Sequence, residues 1–335
     1  MPDFTIAVLD WALAASVAVT LDALAAANRI AQATGVPLRR WQVVGSGTSL
    51  LLSGGLALRT DALTEEADLG ASILVVPGLG LDHPCLQGGP QGRFDWDRIA
   101  DRVAMPDASA LVERVREHSA VGGTVAASCS GVLVLGEAGV LNGRAATTHW
   151  RLASLLQRRY PACSPDVSRM VVRDGPVVTA GAALAQMDLM LLLIADVYGR
   201  DVADLVGRYL LLDGRPTQSC YMALSHLRSV DDTVSRLERL IEASLPEVPS
   251  LAVLADRLHV TEKTLARRVQ RATGQTPGAV VQAVRLRQAR HLLETTRLPV
   301  AEVASRVGYA DATALRRLTL KTLRLAPGQL RGRAP

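Results

Sequence analysis

The chain has 335 residues, 49% of them hydrophobic and 21% charged, a composition that builds and solvates the cores of a folded protein and leaves room for two domains. Aromatic residues make up 3%, so alanine, valine and leucine must fill those cores. The formal charge of +5 conceals a division: from Pro246 to Pro335 sixteen lysines and arginines stand against six acids, net +10, leaving about −5 on residues 1–245.

The N-terminus, Met1-Pro2-Asp3-Phe4-Thr5, carries an acid where an export signal has basic residues, which points to the cytoplasm. Apolar runs such as Met190 to Ala195 are bounded by Asp188 and Asp196 and fall short of the ~20 residues of a bilayer span, so no membrane partner is expected. Cys85, Cys129, Cys163 and Cys220 lack paired metal-ligand spacing, as do His83, His118, His226, His259 and His291. No metal or cofactor is therefore expected.

From Phe4 to about Tyr198, short apolar strands alternate with helices. The strands are read at Thr5–Leu9, Trp41–Gly45, Ile73–Pro77, Thr124–Ala127 and Val177–Ala180. The helices are read at Ser16–Thr34, Ser109–Ser119, Gly131–Ala138, Arg151–Arg159 and Ala182–Tyr198. This alternation predicts an α/β, flavodoxin-like domain with a parallel sheet covered on both faces, and ligands on such sheets collect at the carboxyl ends of the strands. Gln87 to Gly92 is a loop, not a phosphate cradle, because no lysine and helix follow it.

The most informative strand end is Val125-Ala126-Ala127-Ser128-Cys129-Ser130-Gly131, a strand turning into an apolar helix with glycine just past the bend. That is the pattern of a nucleophile elbow. Cys129 has two readings: a thiol at a helix N-terminus, where dipole and free amides favour the thiolate, or a small buried cysteine. Twenty residues on stands Ala146-Thr147-Thr148-His149-Trp150. With it, Phe4 to Gly199 resembles the class I glutamine amidotransferase-like superfamily in its PfpI-like branch. Val75-Val76-Pro77-Gly78 fits the strand and loop bordering the pocket, and Gly139 to Arg144 the turn before the histidine. Cys129 and His149 are the positions that carry over.

Active relatives place a glutamate near the loop after the first strand. Here that loop reads Asp10-Trp11-Ala12-Leu13-Ala14-Ala15-Ser16, with Ser16 at the equivalent position, while Asp22 falls within the helix. A cysteine and a histidine without that carboxylate make an incomplete case for catalysis. The resemblance implies a sensor: the amides of Cys129 and Ser130, with Gly78 and Leu79 opposite and Ser16 and His149 alongside, would form a site for a carboxylate or similar group. The effector implied is a small polar metabolite such as an amino acid or betaine-like compound. The competing readings are a cysteine hydrolase or glyoxalase-like enzyme using Cys129 and His149, and a redox sensor at Cys129.

Residues 201–230 read as a linker containing the turn Asp213-Gly214-Arg215-Pro216, and Thr233 to Ser244 as the first helix of a second domain. Beyond it, one helical unit is written twice. Ala252, Ala255 and Arg257 match Ala301, Ala304 and Arg306 at an offset of 49; Leu265, Arg267, Pro277 and Gly278 match Leu315, Arg317, Pro327 and Gly328 at an offset of 50. Each copy is a helix, a break (Leu258–Thr261, Val307–Asp311) and an arginine-rich second helix, a helix-turn-helix pattern. Thr261 caps the first such helix, which projects Lys263, Thr264, Arg267, Arg268 and Arg271. Asp311 or Thr313 starts the second, followed by Arg316, Arg317 and Lys321. Lys263 and Lys321 are the only lysines in the chain. Between the copies, Pro277 to about Thr295 reads as one helix of about 27 Å, a rod able to hold two recognition helices near the ~34 Å spacing of successive major-groove faces.

Leu251 to Arg331 resembles the DNA-binding domain of the AraC/XylS family of bacterial transcription regulators. Ala252 to Arg268 match its first motif, Gly274-Gln275-Thr276-Pro277 its inter-motif turn, and Val300 to Ala304 with Gly308-Tyr309 its second. The family usually has an aromatic where Leu315 stands, a large apolar residue near Thr319 and a glycine at Arg324. Together with the upstream domain, the arrangement is similar to GlxA-type members of the family. The domains implied are a sensor at 1–200 and tandem helix-turn-helix motifs at 231–335. The partners implied are double-stranded DNA, a small-molecule effector, RNA polymerase and, as a homodimer, a second copy of the chain.

Overall fold

The computed structural model describes residues 3–63, 72–80, 83–86, 98–212, 232–273, 275–323 and 325–331, and divides into two compact units, Met1–Gly214 and Arg215–Pro335. The Gln87–Gly92 loop, Cys220, His226, Gly274, Arg324 and most of the expected linker lie outside the described residues, as do the side chains of Cys85, Arg271 and Lys321.

The strands of the first unit are β1 (Phe4–Val8), β2 (Trp41–Gly45), β3 (Ser49–Leu51), β4 (Ala57–Arg59), β5 (Asp61–Ala62), β6 (Ile73–Val76), β7 (Val125–Ser128), β8 (Ala145–Ala146), β9 (Ser164–Pro165), β10 (Val171–Asp174) and β11 (Val177–Ala180). Its helices are α1 (Ala14–Thr34), α2 (Ile99–Val103), α3 (Pro106–Ala120), α4 (Val132–Glu137), α5 (Ala153–Arg159), α6 (Ala185–Tyr198) and α7 (Arg200–Tyr209). Seven strands form the main sheet in the order β10-β11-β7-β6-β1-β2-β5, and every pairing is parallel except β10 with β11. The two-residue strands carry too little periodicity to be read from sequence.

Alternation along the central strands sends side chains into two cores. Phe4, Ile6, Val8, Val75 and Ala126 pack on the α1, α6 and α7 side. Ala7, Leu74, Val76, Val125 and Ala127 pack on the α3 and α4 side. Apolar residues on both faces are what a parallel sheet covered twice requires.

α1 has the length and composition of a membrane span, because its alanines keep hydropathy high over 21 residues, but Val17, Ala23, Leu24, Ala27 and Ala31 are buried in the sheet core. One expectation needs correction. The expected linker begins as helix α7, whose Val202, Ala203 and Val206 are buried against the same core.

The second unit holds α8 (Asp232–Ala243), α9 (Leu251–Arg257), α10 (Glu262–Thr273), α11 (Pro277–Thr295), α12 (Val300–Arg306), α13 (Ala312–Leu323) and α14 (Pro327–Arg331). Equivalent steps of the two copies behave alike: Leu265 and Leu315 are fully buried, as are Val269 and Thr319. Thr319 can stand in an apolar position because its hydroxyl donates to the Arg316 carbonyl at 3.1 Å, satisfying a polar group away from water. Side-chain caps start the helices: Ser250 accepts from the Val253 amide, Thr261 from Thr264, Thr276 from Ala279 and Asp311 from Ala314. Asp311, not Thr313, is thus the cap of α13.

Each first helix ends on a left-handed residue, the conformation that reverses a chain after a C-cap. In the second copy it is Gly308, at φ 84, where a Cβ would meet the Pro246 carbonyl at 2.2 Å. The first copy has His259 there, at φ 57. Relief of this conformation in His259→Gly should raise stability by about 1 kcal/mol, whereas Gly308→Ala should lower it by about 1–3 kcal/mol. Urea unfolding of the three proteins checks both signs.

Candidate functional site

The loops that leave β1, β6 and β7 meet at the carboxyl end of the sheet. β7 ends extended at Ser128, and Cys129 then adopts φ 53, left-handed for a non-glycine residue. The chain turns at once into α4 under the end of β6, where a Cβ on Gly131 would lie 2.5 Å from the Pro77 carbonyl oxygen. Only glycine fits there. This strained strand-to-helix turn is the elbow that the local pattern predicts.

Around it, Gly78 marks where three loops touch: a Cβ at this position would lie 3.2 Å from Cys129 Cβ and 3.5 Å from Ser16 Oγ. Ser16 is buried in the first turn of α1 and donates to the Ala183 carbonyl at 3.2 Å. The Leu13 amide donates to the Gly78 carbonyl at 2.8 Å, and Ser130 Oγ donates to the Leu79 carbonyl at 2.8 Å. Ser16, Gly78, Leu79, Cys129 and Ser130 are thus brought together. The Thr-Thr pair closes the elbow from the other side, with Thr148 Oγ1 donating to the Cys129 carbonyl at 2.6 Å and the Thr147 amide to Thr179 Oγ1 at 2.8 Å.

Of the two readings of Cys129, the electrostatics favour the small buried thiol. Burial pushes the Cys129 thiol up to about 11, and the amide and hydroxyl of Ser130 offset only part of that. α4, six residues long, does not overcome desolvation, so the thiol form prevails. His149 accepts the Arg151 amide on Nδ1 at 3.1 Å, which leaves the proton of the neutral ring on Nε2. Its ring stacks on Trp150 at 5.3 Å; burial, aided by the Arg151 charge, lowers its pKa to about 4.

Acids near in sequence are used elsewhere. Asp10 accepts the Leu51 amide at 2.8 Å, and Asp22 is exposed on α1. Sequence reading missed Arg102, whose side chain is 1% exposed and pairs with both carboxylate oxygens of Asp107 at 2.8 and 2.5 Å while donating to the Asp10 carbonyl at 3.0 Å. It anchors the loop between β1 and α1. No local motif signals that role, because Arg102 and Asp10 lie 92 residues apart.

In the second unit, α10 and α13 follow their turns as the second helices of the two motifs. Thr261, Lys263 and Arg267 are exposed along α10, and Thr313, Arg316 and Arg317 along α13, while Thr264 is half-buried. Arg268 departs from the expected surface: it is half-buried and its Nη1 donates to Thr233 Oγ1 of α8 at 2.6 Å.

Residues 254–333 match the family model of a helix-turn-helix domain, and residues 99–196 that of the DJ-1/PfpI family. The chain is 29% identical over 316 residues to the HTH-type transcriptional regulator CdhR of Pseudomonas aeruginosa, covering 92% of this chain and 86% of the relative. It is 29% identical over 337 residues to the HTH-type transcriptional regulator GlxA of Rhizobium meliloti, covering 95% and 92%. The chain is also similar to an isonitrile hydratase of Pseudomonas putida, 34% identical over 131 residues that make up 36% of this chain and 56% of the enzyme. The chain thus combines a DJ-1/PfpI-type segment with an AraC-type helix-turn-helix domain, and over most of its length it is similar to transcriptional regulators of the GlxA type.

Two measurements check the site's electrostatics. At pH 8 Cys129 should react with iodoacetamide roughly 100-fold more slowly than a thiol of pKa 9, in proportion to its thiolate; mass mapping against Cys129→Ala isolates its rate. The His149 pKa is depressed on folding, so the unfolded chain binds the proton first as pH falls. Its contribution to stability is complete above pH 6.5 and is lost progressively down to about 4, a slope that His149→Gln should reduce.

Proposed function

We propose that this regulator reads duplex DNA with Lys263, Thr264 and Arg267 on α10 and with Thr313, Arg316 and Arg317 on α13, and that its DJ-1/PfpI-like domain binds a small polar effector at the elbow without turning it over. Phosphate and base contacts need exposed cationic side chains on the helix after each turn, and Lys263 and Arg267 on α10 and Arg316 and Arg317 on α13 supply them twice. The carrying observation for binding without turnover is Ser16: the side chain beside Gly78, across which Cys129 also lies, is a hydroxyl where nucleophilic catalysis needs a base, and the thiol is held protonated.

An effector shifts operator affinity only through a difference in its affinity for two states of the protein. Donors at the elbow suit a carboxylate or similar acceptor. The acting form is a cytoplasmic homodimer, and RNA polymerase is the partner through which operator occupancy changes transcription.

The alternative, turnover by Cys129 and His149, draws on the similarity to the isonitrile hydratase. A carbonyl, amide or isonitrile substrate consumed by the wild type and spared by Cys129→Ala establishes that alternative.

The first test is a genome-wide footprint of the purified protein at fixed salt, expected to give discrete sites with two half-contacts about one helical turn apart. On such a site Arg267→Ala and Arg317→Ala should each weaken binding by about 1–3 kcal/mol, roughly 5- to 150-fold. Unchanged affinity in both removes the recognition-helix assignment.

A further inference from the structure

The two motifs differ at one inward-facing step of their recognition helices. Three residues beyond the buried Leu315, Leu318 is partly buried against the cluster of Leu286, Leu293, Val303 and Leu330. The equivalent residue of the first motif, three beyond the buried Leu265, is Arg268. A guanidinium turned inward must find an acceptor, and Arg268 finds it on Thr233 in the first turn of α8.

α8 is held on its other contacts as well. Val234, Leu237 and Ile241 are fully buried, and Glu238, 3% exposed, pairs with Arg287 of α11 at 2.6 Å. Arg287 also pairs with Glu242. The chain that leaves α8 then places the Pro246 carbonyl against Gly308, in the turn of the second motif. One helix and its exit therefore touch the first recognition helix, the connecting helix and the second turn. In chain order α8 is also the first described element after 213–231, through which the two units are joined.

We propose that α8 is the positioning element of the DNA-reading unit, and that Arg268 acts inward through Thr233 to orient α10 instead of contacting DNA. The contacts to DNA from this helix are left to its exposed residues, Arg267 among them. A displacement of α8 reaches the first motif through the Thr233–Arg268 bond and the second through Pro246. This makes α8 the route by which a change upstream alters presentation of both recognition helices. The inference rests on DNA reading by α10 and is independent of any effector.

The test uses the full-length protein, a duplex carrying one footprinted site, and affinities measured over a range of salt. Thr233→Val should weaken binding at least 5-fold while leaving the salt slope unchanged, because no phosphate contact is removed. Thr233→Ser, which keeps the hydroxyl, should restore binding to within 2-fold of wild type. Arg267→Ala, a true contact, should instead reduce the slope by about 1.

Wild-type affinity in Thr233→Val overturns the proposal, as does a Thr233→Ser that binds no better than Thr233→Val. If Thr233→Val does not fold, Arg268→Leu replaces it, using the residue type of the second motif. Weakened binding at an unchanged slope supports the proposal, and wild-type binding or a reduced slope overturns it. Failure of Arg267→Ala to alter binding would strike the recognition-helix assignment instead, so the two failures are distinct.

Discussion

A single close approach shapes the first unit. Gly131 lies where any Cβ would meet the Pro77 carbonyl oxygen, so its lack of a side chain lets β7 turn into α4 directly beneath the end of β6, through a left-handed Cys129. Strain of this kind, on the order of 1–3 kcal/mol, persists only where the surroundings over-determine it. Here the Thr148 hydroxyl holds the Cys129 carbonyl, Ser130 ties the elbow to Leu79, and Arg102 fixes the loop from β1. The geometry associated with a nucleophile is preserved while the protonation state is not. Desolvation decides that, because a short helix cannot repay the cost of a buried thiolate.

The second unit rests on repetition with controlled differences. Both motifs bury a leucine at the same step and begin their recognition helices with a side-chain cap, yet one reverses at a strained histidine and the other at a glycine against Pro246. Their cores are closed differently as well. Leu318 closes the second by apolar packing, whereas the first uses a hydrogen bond from Arg268 to α8. Two motifs of matching sequence are thus tied to their surroundings differently, one by apolar packing and one by a hydrogen bond.

Much of this was legible in the residues. The five central strands, the elbow, the two helix-turn-helix motifs and the connecting helix all announce themselves by local signals: alternation of period two, apolar spacing near 3.6, a glycine after a bend, a threonine or aspartate before a helix. Local signals work where the structure is decided within a few residues. They fail for α7, whose apolar face is meaningful only against α1 and α6, and for strands of two residues.

What the sequence by itself determined is the division into a doubly covered parallel sheet and a tandem basic helical unit, together with the resemblance those motifs carry. Tertiary structure alone decided which inward charge finds a partner and which protons stay. Arg267 and Arg268 are neighbours of one type; helical spacing from Leu265 puts the second on the inner face, and only the position of Thr233, 35 residues upstream, gives its guanidinium a partner there. Cys129 sits in a pattern that favours a thiolate, and burial, which that pattern does not show, instead pushes its pKa up to about 11. The physical reason is common to both: desolvation and hydrogen-bond partnership depend on neighbours in space, which the order of residues does not name.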